Sequence, residues 1–133
     1  MAEKTQRQTL EQKRAKHGWA DVEEAEKQLG NDKEKYGTLA RKLPAMIQMN
    51  GLASTLAFFK AKGKSEHKMI VKHLSIWVLG QVKVGSHKDL IDLVRNESVE
   101  TYRRATAESI EYGIWLKRYV EAKDWGSVDG DDT

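Results

Sequence analysis

Apolar residues recur at helical spacing along almost the whole chain, and the breaks between runs divide it into about six predicted helices. The first spans Thr9 to Leu29, with Ala15, Trp19, Val22, Ala25 and Leu29 on one face and charges elsewhere. Gly18 is a weak point inside it, costing about 1 kcal/mol against alanine. Gly30-Asn31-Asp32 ends this helix, and Asn31 or Asp32 is placed to cap the next. The second run, Lys33 to Met49, keeps Tyr36, Leu39, Ala40, Leu43, Met46 and Ile47 in one register across Pro44. Proline removes a backbone donor and crowds the preceding turn, so a kinked helix, or two short helices nearly in line, is expected. Asn50-Gly51 makes a corner, and a third helix, Leu52 to Ala61, carries Leu56 and Phe59 inward and stops at Gly63. These two runs predict a hairpin, Tyr36 to Gly63, at the centre of the bundle.

Ser65 suits the N-cap of a fourth helix, whose Met69, Ile70, Val71, Leu74, Ile76, Trp77, Val78, Leu79, Val82 and Val84 make it the most apolar stretch. Apolar residues around most of its circumference imply burial on most sides. Its end, VLGQVKVG, also alternates like a strand, but no second strand exists to pair with it, and helix is the expectation. Gly85-Ser86 opens a short helix with Leu90, Ile91, Leu93 and Val94. Asn96 or Ser98 caps the last helix, which runs to about Lys123 with Val99, Tyr102, Thr106, Ser109, Gly113, Leu116 and Val120 inward. Tyr112, Trp115 and Tyr119 widen that stripe. The fold class expected is all-α, a single compact bundle with Leu39, Leu43, Ile47, Leu56, Phe59, Leu74, Trp77, Tyr102 and Leu116 in its core. Residues 8–123 form the expected folded part, and residues 124–133 an acidic tail in which Trp125 stands among polar neighbours.

Composition narrows the picture. At 133 residues the chain is one domain with room for a real core. It has no cysteine, which excludes disulfides and thiolate metal sites and makes a reducing cytoplasm the expected location. No apolar run approaches the roughly 20 residues of a membrane span, so no membrane partner is expected. The opening MAEKTQRQTLEQ lacks the apolar stretch of a signal peptide. The net charge of +3 is unevenly laid out. Residues 41–88 hold nine basic groups (Arg41, Lys42, Lys60, Lys62, Lys64, Lys68, Lys72, Lys83, Lys88) against Glu66 alone, whereas residues 89–133 hold six basic and eleven acidic groups. A middle third at +8 favours a polyanion partner, and a solvated surface balanced by the acidic last third is the plain alternative.

Catalytic chemistry is thin. None of His17, His67, His73 and His87 has a second histidine or a carboxylate at the spacing of a metal motif. His73 lies in the most apolar stretch and reads as a hydrogen-bonded core histidine. Asp21, Glu23, Glu24 and Glu26 read as a solvated helix face, and a metal there would need oxygens converging from other segments. Glycine-rich phosphate loops and the nucleophile-elbow motif are missing from the sequence. No catalytic residue, metal site or cofactor is expected.

Three stretches together carry a family resemblance: QTLEQKRAKHGWADVEEA, then YGTLARKLPAMIQMNGLASTLAFFKAKGK, then a long final helix ending IWLKRYVEAK. They resemble the small helical subunit of the Cmr complex, the type III-B CRISPR RNA-guided effector, over about Gln8 to Lys123. The most specific part is LARKLPAMIQMNGL followed by LAFFKAKGK, where a mid-register proline, an Asn-Gly corner and flanking basic residues combine. The resemblance implies a non-catalytic subunit that stacks with further copies of itself as a minor filament. Its implied partners are the guide RNA, the single-stranded target RNA, the backbone subunit and the other Cmr subunits, in an antiviral defence system. Wall proteins of an RNA-guided effector need backbone contacts only, because base pairing reads the sequence.

The RNA-facing candidates are Arg41 and Lys42 on the second helix and Lys60, Lys62 and Lys64 leaving the third. In a hairpin these five gather at one end of the bundle. Arg14 and Lys16, in QKRAK, come next, and the lysines from Lys68 to Lys88 are the reserve face. Two other functions stay open: a helical interaction module whose basic third docks on an acidic protein, and an enzyme completed by a partner chain.

Overall fold

Thr9 opens the first helix with a capping box: its hydroxyl accepts from the Gln12 amide at 3.0 Å, and the Gln12 side chain accepts from the Thr9 amide at 2.8 Å. The computed structural model describes residues 8–127. Within them lie six α-helices: α1 (Leu10–Leu29), α2 (Lys33–Asn50), α3 (Leu52–Lys62), α4 (Ser65–Val82), α5 (Leu90–Asn96) and α6 (Val99–Ala122), with one 3-10 turn at Gly30–Asp32. No strand occurs among the described residues. The stretch that alternates like a strand is helical to Val82 and is halted by Lys83, whose φ of 54° turns the chain out of the helix.

α2 runs through Pro44 as one helix. It packs most extensively against α6 and also touches α1, α3 and α4, so it is the central element. Pro44 is buried at the crossing with α6, where Gly113 lets the helices approach: a Cβ there would meet Leu43 Cδ2 at 3.3 Å and Pro44 Cγ at 3.6 Å. Proline costs an isolated helix about 3 kcal/mol. Burial of Leu39, Leu43 and Ile47 beside it, each at about 1.5–3 kcal/mol, outweighs that loss. Two glycines with positive φ turn the corners: Gly51 (φ 89°) donates its amide to Ile47 O at 2.8 Å, and Gly63 (φ 64°) to Phe59 O at 3.1 Å.

Eight of the nine expected core residues are buried. Tyr102 is half-buried instead, because its hydroxyl reaches out to accept from the Ala53 amide at 3.1 Å in the first turn of α3. The first turns of α6 face inward through Thr101 and Ala105, not through Val99, Tyr102 and Thr106; from Ser109 onward the stripe is as expected. Two caps also differ. Lys64 occupies the N-cap of α4 and Ser65 is its first helical residue, while Asp32 flanks α2 without a side-chain cap. Gly18 is buried in α1 where α6 arrives, which leaves Trp19 largely at the surface, edge-on to Tyr119 at 5.2 Å.

The chain stays on the fold beyond α6. Trp125, expected in a polar tail, is 3 % exposed and lies over Gly37. Its amide donates to Val120 O at 2.9 Å, the Gly126 amide to Glu34 Oε1 at 2.8 Å, and the Ser127 amide to Thr38 Oγ1 at 3.3 Å. The rest of the expected tail, residues 128–133, lies outside the described residues. Among the described residues no helix is long and apolar enough to cross a membrane.

Candidate nucleic-acid interface

Lysine spacing around the α3–α4 corner builds a basic surface. Lys68 and Lys72 are four apart on α4 and therefore share one side of it. α3 brings Lys60, and the loop before α5 brings Lys88, to a groove of about 510 Å³ whose rim includes all four. Its floor is apolar, made by Phe59, Val71, Ile76 and Ile91. A second depression of about 590 Å³ adjoins it through Gly63, Lys68 and Lys72 and adds Lys64 and Lys35. All six of these lysines are exposed. Asp32, Glu66 and Asp89 are the acidic residues on the two linings.

The five charges expected in one patch are divided. Lys60 and Lys64 belong to this basic surface; Arg41 and Lys42 line neither depression. Arg41 is half-buried under the C-terminal segment and donates from Nε to Trp125 O at 2.8 Å. Lys42, also half-buried, engages a partner of its own. Lys62 folds over the Phe58 ring, its Nζ 5.4 Å from the centroid. The packing of Trp125 on α2 holds Arg41 at the Trp125 carbonyl and outside both lysine-lined depressions. Arg14 is fully engaged: its fork donates to both oxygens of Glu108 at 2.7 and 2.8 Å, and that hydrogen-bonded carboxylate raises the guanidinium above its ordinary value. Glu108 also accepts from Trp77 Nε1 at 2.8 Å, so the trio ties α1 and α4 to α6. Lys16 is exposed beside a shallow depression lined by Lys13, His17, Trp77 and Gln81.

Four helices meet at a polar cluster near the bundle's centre. Tyr36 (α2) and Glu24 (α1) hold the two ring nitrogens of His73 (α4), each at 2.8 Å. Tyr112 (α6) donates to Asp21 Oδ2 and also contacts His17 Nδ1 at 2.7 Å. Burial lowers the His73 pKa, raises that of Asp21, and holds both tyrosines well above their ordinary value; the His73 hydrogen bond lowers Glu24. His73 is thus a hydrogen-bonded core histidine, as expected. Asp21 and Glu24 are not on a solvated face: Asp21 is 9 % exposed and Glu24 is half-buried. A sequence shows that these residues share one side of a helix, not that α4 will cover that side.

Comparison with known proteins gives concordant matches. The family described as CRISPR-associated protein (Cas_Cmr5) matches residues 10–123. The Cmr5 subunit of the Thermus thermophilus CRISPR Cmr system is 32% identical over 108 residues, covering 81% of this chain and 90% of that one. The Thermotoga maritima Cmr5 subunit is 35% identical over 120 residues, covering 85% and 83%. The crystal structure of a CRISPR-associated Cmr5 family protein from Thermus thermophilus superposes with a TM-score of 0.73 at 31% identity, covering 87% of this chain and 97% of the other.

Proposed function

The chain belongs to the CRISPR-associated Cmr5 family, and we propose on that footing that it is the small subunit of a type III-B Cmr effector. In this reading it contacts the backbone of the target RNA strand through the lysine surface between α3, α4 and α5, performs no catalysis of its own, and lies beside further copies of itself and the backbone subunit. The observation that carries the reading is the convergence of Lys60, Lys68, Lys72 and Lys88 on one groove, with Lys64 and Lys35 adjoining. Lysines on a broad rim neutralise phosphates without reading bases, which suits a wall protein whose specificity comes from base pairing. Of the earlier candidates, Lys60 and Lys64 lie on this face. Lys62 stands beside it as a secondary contact, Lys16 lies at a separate depression with Lys13, His17, Trp77 and Gln81, and Arg41 and Lys42 form a separate basic edge. Arg14 serves the fold.

The test is a Lys60→Ala, Lys68→Ala, Lys88→Ala variant; Lys72 is left because it also pairs with Glu24 at 3.1 Å. Each phosphate contact on a single strand contributes about 0.7 to the slope of log affinity against log salt, so the triple variant flattens the slope by about 2. An unchanged affinity and slope refutes this face, and an Arg41→Ala, Lys42→Ala variant then tests the other edge.

A second reading has one observation in its favour. The groove floor is apolar, and Ile76 is 54% exposed on it, which suits an acidic amphipathic segment of a partner protein. Length dependence separates the two: affinity that climbs as single-stranded RNA lengthens supports a stacking RNA binder, and affinity indifferent to length supports docking on a protein.

A further inference from the structure

The polar cluster inside the bundle has the composition and support of a metal site. α1 presents Asp21 and Glu24 three residues apart on one side, and α4 presents His73 against them. One ligand atom from each lies within 4.8 Å of the other two. His73 Nε2 is 2.8 Å from Glu24 Oε1 and 3.8 Å from Asp21 Oδ1. The latter separation is beyond hydrogen-bond reach, and among the described residues no donor bonds to Asp21 Oδ1, although Asp21 is 9 % exposed. Asp21 Oδ1 is thus turned toward the imidazole without a side-chain hydrogen bond among the described residues.

Each ligand is held from behind by another helix. Tyr36 orients His73 through Nδ1, and Tyr112, with His17, orients Asp21 through Oδ2. Metal ligands characteristically have such outer partners, which fix their rotamer and tautomer. The local charge also favours a cation: two carboxylates face one lysine, Lys72, whose exposed Nζ is free to withdraw to water from Glu24 Oε2.

We propose that Asp21, Glu24 and His73 bind one divalent transition-metal ion of the zinc class. Two carboxylate oxygens and an imidazole nitrogen are zinc ligands, and bonds of about 2.0–2.1 Å in a tetrahedron place ligand atoms about 3.3 Å apart. The 2.8 Å His73–Glu24 pair opens by about half an ångström as half-exposed Glu24 rotates, and the 3.8 Å His73–Asp21 pair closes by about as much through small shifts of those two side chains. Water takes the fourth position on the Glu24 side. The proton now donated by His73 Nε2 to Glu24 moves to Nδ1, where the Tyr36 hydroxyl oxygen accepts it as the hydroxyl's own hydrogen rotates off the ring, so the imidazole stays neutral and Nε2 faces the ion.

The test is titration of the metal-free full chain with zinc chloride by calorimetry, with the melting temperature read in parallel. One site per chain and a raised melting temperature are expected, with Glu24→Gln and Asp21→Asn each weakening binding at least about tenfold while keeping the helical spectrum. His87→Asn, which removes a different histidine–carboxylate cluster, leaves binding unchanged. Absence of heat and of any rise in melting temperature overturns the proposal. So does zinc binding that survives both carboxylate variants or disappears with His87→Asn.

Discussion

Substituting Gly37 with alanine tests how the C-terminal segment is held. Within a helix, glycine to alanine is intrinsically stabilising by about 1 kcal/mol. At Gly37 the added Cβ would lie 2.5 Å from Trp125 Cβ and 2.7 Å from the Trp125 carbonyl carbon and oxygen, a collision with backbone that no rotamer change relieves. The segment must therefore undock. Trp125 then loses about 200 Å² of burial, worth about 5 kcal/mol at 25 cal/mol/Å². Three hydrogen bonds go with it, from Arg41 to Trp125 O and from the Gly126 and Ser127 amides, at about 1 kcal/mol each. Freeing four backbone residues returns about 1 kcal/mol apiece, and the alanine propensity about 1 more. The net expectation is a loss of about 3 kcal/mol, near 10 °C in melting temperature for a chain of this size. Gly80 is the control: a Cβ there meets nothing within 4 Å, so Gly80→Ala gains about 0.5–1 kcal/mol. Thermal and urea unfolding followed by far-UV circular dichroism measure both. Trp125→Ala removes the ring burial that holds the segment down and so undocks it already, and in a double-mutant cycle Gly37→Ala then costs almost nothing further. A Gly37→Ala protein as stable as Gly80→Ala, or one whose loss adds in full to that of Trp125→Ala, would refute the reasoning.

Two further outcomes follow from the packing and the charges. Leu43→Ala removes a fully buried side chain at the α2–α6 crossing and costs about 2–5 kcal/mol in urea unfolding; a loss below 1 kcal/mol would mean that the crossing closes over the cavity. His87 is clamped by Glu97 Oε2 at 2.8 Å and Asp92 Oδ2 at 3.0 Å, and these carboxylates raise its pKa above 6.5. A raised folded-state pKa gives stability that is full below pH 6.5 and is lost as pH climbs through the folded value. The melting temperature therefore declines on that alkaline side in the native chain and stays flatter in His87→Asn; parallel profiles would show that the clamp is not felt.

Local periodicity and punctuation were enough for much of the fold. Repeats near 3.6 residues place the helices, glycines at 30, 51 and 63 mark corners that need positive φ, and the Leu39–Leu43–Ile47 register runs through Pro44 because burial of that face outweighs one missing hydrogen bond. The family was legible for the same reason, since its signature is a run of consecutive residues. What the sequence could not determine is how the helices are rotated against one another. That rotation takes Arg41 to the Trp125 carbonyl, engages Arg14 with Glu108, and leaves Lys60, Lys68, Lys72 and Lys88 around one groove. It also closes α4 over Asp21 and Glu24, turning a helix face that reads as solvated into the supports of His73. Helical spacing says which residues share a side of one helix; only packing between helices distant in the chain decides which side meets water, and so which charges remain available for a ligand.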